Sequence, residues 1–240
     1  MDYFNDAKNL IGHARTSFQQ IKRSYDESLT NKDIRPPLLI EIKNFMENLR
    51  SALDFTAHGL FDKYGDKNYT GDVYFPYAWK GLDRAGYRSK KIIEKIPGLE
   101  ASRPDIAMKI ESYQHFVGPD NSWLCIFMDL NNENKHQRLT PQIKKETRQL
   151  NIKSGGVSMS LGQGTSIIIG KDAFIKMGDA IIQDNQTIDV NSPAKIVGPA
   201  VQEIITWVSF CFSSNNEVVM PFLDQALVGV EKIVNELSII

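Results

Sequence analysis

Glu47, Arg50, Asp54 and His58 lie three or four residues apart. At about 100° per residue on a helix they fall within one narrow polar arc. An acid, a guanidinium fork and an imidazole then share a face. Such a set can hold a phosphate at the arginine and move a proton at the histidine, whose ordinary pKa is near neutrality. The same spacing equally suits a solvated helix face carrying ordinary ion pairs. A second cluster gathers Asp129, Asn131, Asn132, Asn134, Lys135, His136 and Arg138 at the end of another apolar run. Its asparagines are poor helix formers whose amides bond nearby backbone, and its cations suit an anion such as phosphate. They also suit a helix C-terminus, where positive charge offsets the macrodipole. A third group is aromatic: Tyr69, Tyr74, Phe75, Tyr77 and Trp79. These rings can stack bases or close a cleft, or they can pin a long loop to the core.

Other residues carry less. His13 and His115 have no chemical partner near them in sequence. The GlyGlnGlyThr stretch from Gly162 lies between two strand-like runs and lacks the lysine and the following helix of a phosphate loop, so it is a turn. The chain contains no HisGluXaaXaaHis, no CysXaaXaaCys and no GlyXaaSerXaaGly. Neither metal hydrolysis nor serine hydrolysis has a local signature, and the sequence names no cofactor and no metal.

The elements that must position these groups are legible from periodicity. Ala7, Leu10, Ile11, Ala14, Phe18, Ile21 and Tyr25 recur at helical steps and predict a first helix over about 3–29. Two prolines after Arg35 end it and open a second helix, with Leu38, Ile42, Phe45, Leu49, Leu53 and Leu60 on one stripe as far as Gly65. Residues 62–88 read as the aromatic loop. Ser102 to Asp105 has the form of a capping box opening a helix over about 103–116. A further helix starts at Ser122 and ends in the asparagine cluster. After a charged connector at 141–153, glycine-punctuated β-favouring runs predict a small antiparallel meander, then a hairpin across 213–216 and a final helix from Pro221. The expected class is α+β: a helical bundle over 1–150, followed over 151–240 by the meander and a C-terminal helix packed on the bundle as one compact unit.

With 240 residues, 42% of them apolar and 24% charged, the chain builds its own core without a staple. Its formal charge of −1 means that any contact with nucleic acid is local. Cys125 and Cys211 sit in apolar runs, as small buried hydrophobes in a reducing compartment do. The N-terminus lacks a signal-type apolar segment, and no run approaches a membrane span. A cytoplasmic protein with no membrane association is expected.

AsnLeuArgSerAlaLeuAsp at Asn48 to Asp54, TyrPheProTyr at Tyr74 to Tyr77 and LeuAsnAsnGluAsnLysHisGlnArgLeu at Leu130 to Leu139 resemble motifs of a group of bacterial proteins similar to the HEPN superfamily. That resemblance implies an HEPN-like helical bundle, a homodimer, and a role in bacterial stress or antiphage defence. It also implies RNA as a partner, because many such proteins are metal-independent endoribonucleases using an arginine and, a short spacing on, a histidine. Arg50 matches the arginine. Phe55, Thr56 and Ala57 occupy the places where the histidine would stand, and His58 lies one residue beyond. Two readings follow. In one the chain is a non-catalytic binding or scaffold protein for RNA or a protein partner, with Asp54, Asn131, Asn134, Lys135 and Arg138 as binding residues. In the other it cleaves RNA, with Arg50 stabilising phosphorane charge and His58 or His136 moving the 2′-hydroxyl proton. A third possibility is a small-molecule pocket under the aromatic loop, where helices and meander meet.

Overall fold

A computed structural model of the protein describes residues 2–31, 34–136 and 142–239, without the side chains of 30, 31, 134–136 and 207. The chain divides into two compact units, one formed by residues 1–143 and 211–240, the other by 144–210.

The first unit is helical. It contains α1 (Tyr3–Asn31), α2 (Pro36–Tyr64), a short α3 (Arg84–Tyr87) and a π-helical turn (Arg88–Ile92) leading into α4 (Ile93–Lys95). Then come α5 (Leu99–Ser102), α6 (Pro104–Glu111) and α7 (Ser122–His136), with α8 (Val219–Ser238) at the other end of the chain. The apolar stripe read on α2 is its buried face: Leu38, Ile42, Phe45, Leu49, Leu53 and Leu60 are all within 2% of full burial. That face lets α2 pack against α1, α7 and α8 at once. Phe18 of α1 meets Phe45 of α2 with ring centroids 5.8 Å apart. On α8, Gly229 lets the Trp123 indole lie against the helix; a Cβ there would come within 2.3 Å of the ring.

The helix expected from the capping box is shorter, and the box does not form. Ser102 is the last residue of α5, where its hydroxyl donates to the carbonyls of Tyr64 (2.7 Å) and Gly98 (2.9 Å), and so it does not stand at the N-cap of the helix that follows. Arg103 stands at the N-cap without a side-chain capping bond, and α6 ends at Glu111.

The second unit is all strands. β1 (Gln142–Ser154), β2 (Val157–Gly162) and β8 (Val201–Phe212) form a sheet ordered β2-β1-β8. β3 (Ile167–Ile169) pairs with β6 (Gln186–Ile188), while β4 (Ile175–Met177), β5 (Ala180–Ile182) and β7 (Ile196–Val197) form a third sheet. The expected strand runs are present, and the pairs β1·β2, β3·β6, β4·β5 and β5·β7 are antiparallel. They are not one meander, because β4 and β5 intervene between the partners β3 and β6. Leu150, Ile152, Leu161, Ile169, Met177, Ile182 and Ile188 close a separate core. The charged stretch read as a connector is β1, which starts at Gln142, ahead of the boundary expected at 150. Its alternation is masked by charge at exposed positions, and only its last residues carry the buried pattern. The hairpin expected across 213–216 is reduced to a single bridge between Cys211 and Val218. Thr165 N–H donates to the Gly162 carbonyl at 3.1 Å, so that glycine does mark a turn.

Among the described residues no helix is long and apolar enough to cross a membrane.

Candidate functional site

α2 carries Arg50 and Asp54 one turn apart, and the spacing does what it suggests: Arg50 Nε donates to Asp54 Oδ2 at 3.2 Å. The pair is three-quarters buried or more, with side chains 22% and 21% exposed. The other carboxylate oxygen, Asp54 Oδ1, accepts the Phe75 N–H at 2.9 Å and so ties the aromatic loop to α2. Burial pushes the Asp54 carboxyl above its ordinary value; Arg50, the Phe75 N–H and His58 act in the opposite direction. Arg50 is held further by Met128 of α7, whose sulfur lies 3.1 Å from Nη1. Its guanidinium stands 5.7 Å from the centroid of the Tyr77 ring.

The loop is fixed from its other side by α6 and the turn after it. The Ala78 N–H donates to Gln114 Oε1 at 2.8 Å, and the Tyr87 hydroxyl donates to the Pro76 carbonyl at 3.0 Å. Gln114 and Tyr87 are both fully buried, so these bonds are shielded from water. Glu111, buried at the end of α6, takes Arg84 at 2.9 Å and also pairs with Arg88, which anchors α3 and the start of the π-helical turn. At the loop's entrance Gly98 adopts φ +86°, and its α-carbon approaches so closely that a Cβ would lie 2.5 Å from the Asp66 nitrogen. Only glycine takes that conformation without strain.

These anchors enclose a cavity of about 560 Å³, and all its lining residues belong to the first unit. Glu47, Arg50, Ser51 and Asp54 come from α2, and Tyr74, Phe75 and Tyr77 come from the loop. Lys91 lies in the π-helical turn, Lys95 ends α4, and Asn131 and Asn132 belong to α7. The volume is that of a small-ligand site. Each of three cations stands against a ring: Arg50 by Tyr77, Lys91 4.4 Å from the centroid of Trp79, and Lys95 5.5 Å from that of Tyr74. The cavity's acids are already engaged. Asp54 is bound as described, and Glu47 pairs with Lys43 at 2.9 Å. Burial and the neighbouring Lys95 hold the Lys91 ammonium below its ordinary value. A π-helical turn re-phases the side chains that follow it, and such turns recur at binding sites.

The site therefore combines Arg50, Asp54 and Asn131, which the sequence picked out, with Lys91 and Lys95, which it did not. The signal that could have found them is LysLysIleIleGluLys, a basic i, i+4 pair just after the aromatic loop. His58 is not brought to Arg50. It stacks on Tyr3 of α1, with ring centroids 5.4 Å apart, and does not line the cavity. Eight residues of helix separate the two along the axis by about 12 Å, because two turns return to a similar face but not to the same place. The side chains of Asn134, Lys135 and His136, and the whole of Arg138, lie outside the described residues. Of the two cysteines, both buried, Cys125 has its thiol pushed up to about 11 by burial and by Asp129, the setting of an inert core residue.

Compared with protein-family models, with curated proteins and with solved structures, the chain matches none.

Proposed function

We propose that this chain is a non-catalytic, HEPN-like binding protein whose helical unit holds a nucleotide, either free or as one unit of a single RNA strand. The observation that carries this reading is the convergence of Arg50, Lys91 and Lys95 on one cavity. Each is backed by an aromatic ring; of the cavity's two carboxylates Glu47 pairs with Lys43 and Asp54 with Arg50, so Lys91 and Lys95 have no ion pair among the described residues. Cations supply the phosphate contact, and exposed rings supply a stacking surface that accepts any base. Tyr74, in the cavity wall and 39% exposed, is available for that stacking.

The non-catalytic part of the reading rests on the walls of the same cavity. No imidazole is among its described lining residues, each oxygen of Asp54 already takes a bond, from Arg50 or the Phe75 N–H, and His58 is engaged by Tyr3. A general base must reach the proton that it takes. A role in bacterial stress or antiphage defence, and dimerisation, extend the same family reading.

The test is binding of adenosine 5′-monophosphate and of labelled oligoadenylate to the purified protein, with the RNA recovered and sized after incubation in EDTA. We expect binding that weakens with salt, with a log–log slope of about −2 for three phosphate-facing cations on a single strand, and RNA of unchanged length. Tighter binding of the oligomer would make RNA the source of the nucleotide, and equal binding would make it a free nucleotide. Cleavage that vanishes in Arg50→Ala would replace this reading with the endoribonuclease. Absence of binding by either probe would remove it.

A further inference from the structure

Asn131 lies on α7, is 4% exposed and lines the cavity. Its nitrogen is committed: Nδ2 donates to the Phe127 carbonyl, one turn back, at 2.9 Å. That bond decides which end of the amide is which, since only the nitrogen can donate to a carbonyl. The oxygen, Oδ1, is buried and accepts nothing. Buried acceptors without a partner are rare in folded proteins, because the group loses water and gains nothing in return. The neighbouring donors are directed elsewhere: Arg50 bonds Asp54 and Met128, the adjacent Asn132 bonds the Tyr77 hydroxyl at 3.1 Å, and none of the described donors bonds Oδ1.

Retaining such an atom in the wall of a cavity is expensive unless something that enters the cavity brings a donor. The second torsion of an asparagine is soft, so a small turn presents Oδ1 to an incoming group without moving α7. The phosphate end carries acceptors alone, so the donor belongs to the nucleoside, whose base N–H groups and ribose hydroxyls both donate; a ligand pair that differs only in the base amine tells them apart. Building on the nucleotide reading above, we infer that Asn131 is a specificity-determining residue whose Oδ1 accepts a hydrogen bond from an N–H on the edge of the base. The site thereby discriminates bases that present an amino or imino hydrogen from those that do not. A structural role would predict the reverse of what the bond pattern shows. The Phe127 carbonyl already takes the backbone N–H of the helix, so the Asn131 amide adds little to the fold, and its oxygen subtracts from it.

The experiment compares two ligands on the intact wild-type chain by calorimetry: adenosine 5′-monophosphate, and purine riboside 5′-monophosphate, which keeps the ring, ribose and phosphate but lacks the amine. We expect the first to bind about tenfold more tightly, the effect of one buried hydrogen bond. Asn131→Leu, of similar size and without an acceptor, should bind both alike at the weaker affinity and melt no lower than wild type. Wild-type protein that binds both ligands equally, with an affinity that still depends on Arg50, would overturn the role of Asn131 and leave the nucleotide reading standing. No binding of either ligand would overturn both. The wild-type comparison decides the matter even if the variant fails to fold.

Discussion

Two hollows of comparable size open in this molecule, one of about 560 Å³ in the helical unit and one of about 380 Å³ in the strand unit. The second is lined by Glu146, Arg148, Gln163, Thr165, Ser166 and Asp189 among others, and none of its described lining residues is aromatic. Its acids are engaged: Glu146 pairs with Lys144 at 3.1 Å, and Asp189 Oδ1 is used by the N–H groups of Asn191 (2.7 Å) and Ser192 (2.8 Å). In the helical unit the acids are bound internally, the cations Lys91 and Lys95 make no ion pair among the described residues, and a buried acceptor stays open. Volume and polarity are alike in the two places. What separates them is that the helical hollow sets aromatic rings beside its cations and keeps a buried acceptor open.

The largest expected effect tests that contrast directly. Replacing Lys91 and Lys95 together with alanine should weaken nucleotide binding about a hundredfold, since a hydrogen bond to a charged group contributes about 1.5–3 kcal/mol. Arg148→Ala, in the other hollow, should leave it unchanged. Titration of the three proteins with adenosine 5′-monophosphate reads the difference, and an equal loss from Arg148→Ala would erase the distinction.

Next is the frame of the helical cavity. Gly98→Ala places a side chain at φ +86° and against the Asp66 backbone, which we expect to cost about 2 kcal/mol of stability or more. Thermal unfolding reads the cost, and a matching loss of nucleotide affinity shows that the loop's fixation serves the site. Gly229→Ala, which drives a methyl group into the Trp123 indole, should cost about 1–3 kcal/mol through the packing of α7 and α8. Affinity per folded molecule should be unaltered, because neither residue lines the cavity.

The smaller effects are in pH. The Lys91 pKa lies below its ordinary value of 10.5, and only the protonated ammonium attracts a phosphate. Affinity should therefore fall on the alkaline side earlier than for an ordinary lysine. In Lys91→Arg that early fall should disappear from an alkaline binding titration. Glu236 on α8 is the smallest case. It accepts from the Tyr113 hydroxyl at 2.6 Å and pairs with Lys109 at 2.9 Å, and these partners hold it below its ordinary 4.5. A lowered carboxyl contributes stability that is present above 4.5 and is lost as pH falls through the folded value. Glu236→Gln should flatten that acid limb in a series of melting curves. Asp54 has the opposite sign. Its pKa is raised, so its ionisation withdraws stability as pH rises from 3.8 through the folded value.

The bundle was legible because its signals are local. One apolar residue every third or fourth position marks α1, α2 and α8 wherever they pack, and every position that the pattern marks on α2 is buried. The capping box at Ser102 misled because that residue ends α5, where its hydroxyl bonds the Tyr64 carbonyl, 38 residues away. The strand runs were visible and their pairing was not, since a run such as Ile167–Ile169 does not say whether its partner is the next strand or one three further on.

For the site, local spacing was enough to pair Arg50 with Asp54 and to mark Asn131 as a residue with chemistry to spare. The sequence by itself thus determined the helices, the strand-rich segment and the polar arc on α2, because each depends on neighbours within a few residues. Only the tertiary structure decided that the arc divides between a cavity at Arg50 and a ring stack at His58. It alone brought Lys91 and Lys95 from beyond the loop to that cavity and left Asn131 Oδ1 without a donor. Which polar group is satisfied depends on atoms that folding brings together from distant parts of the chain, and no local spacing records them.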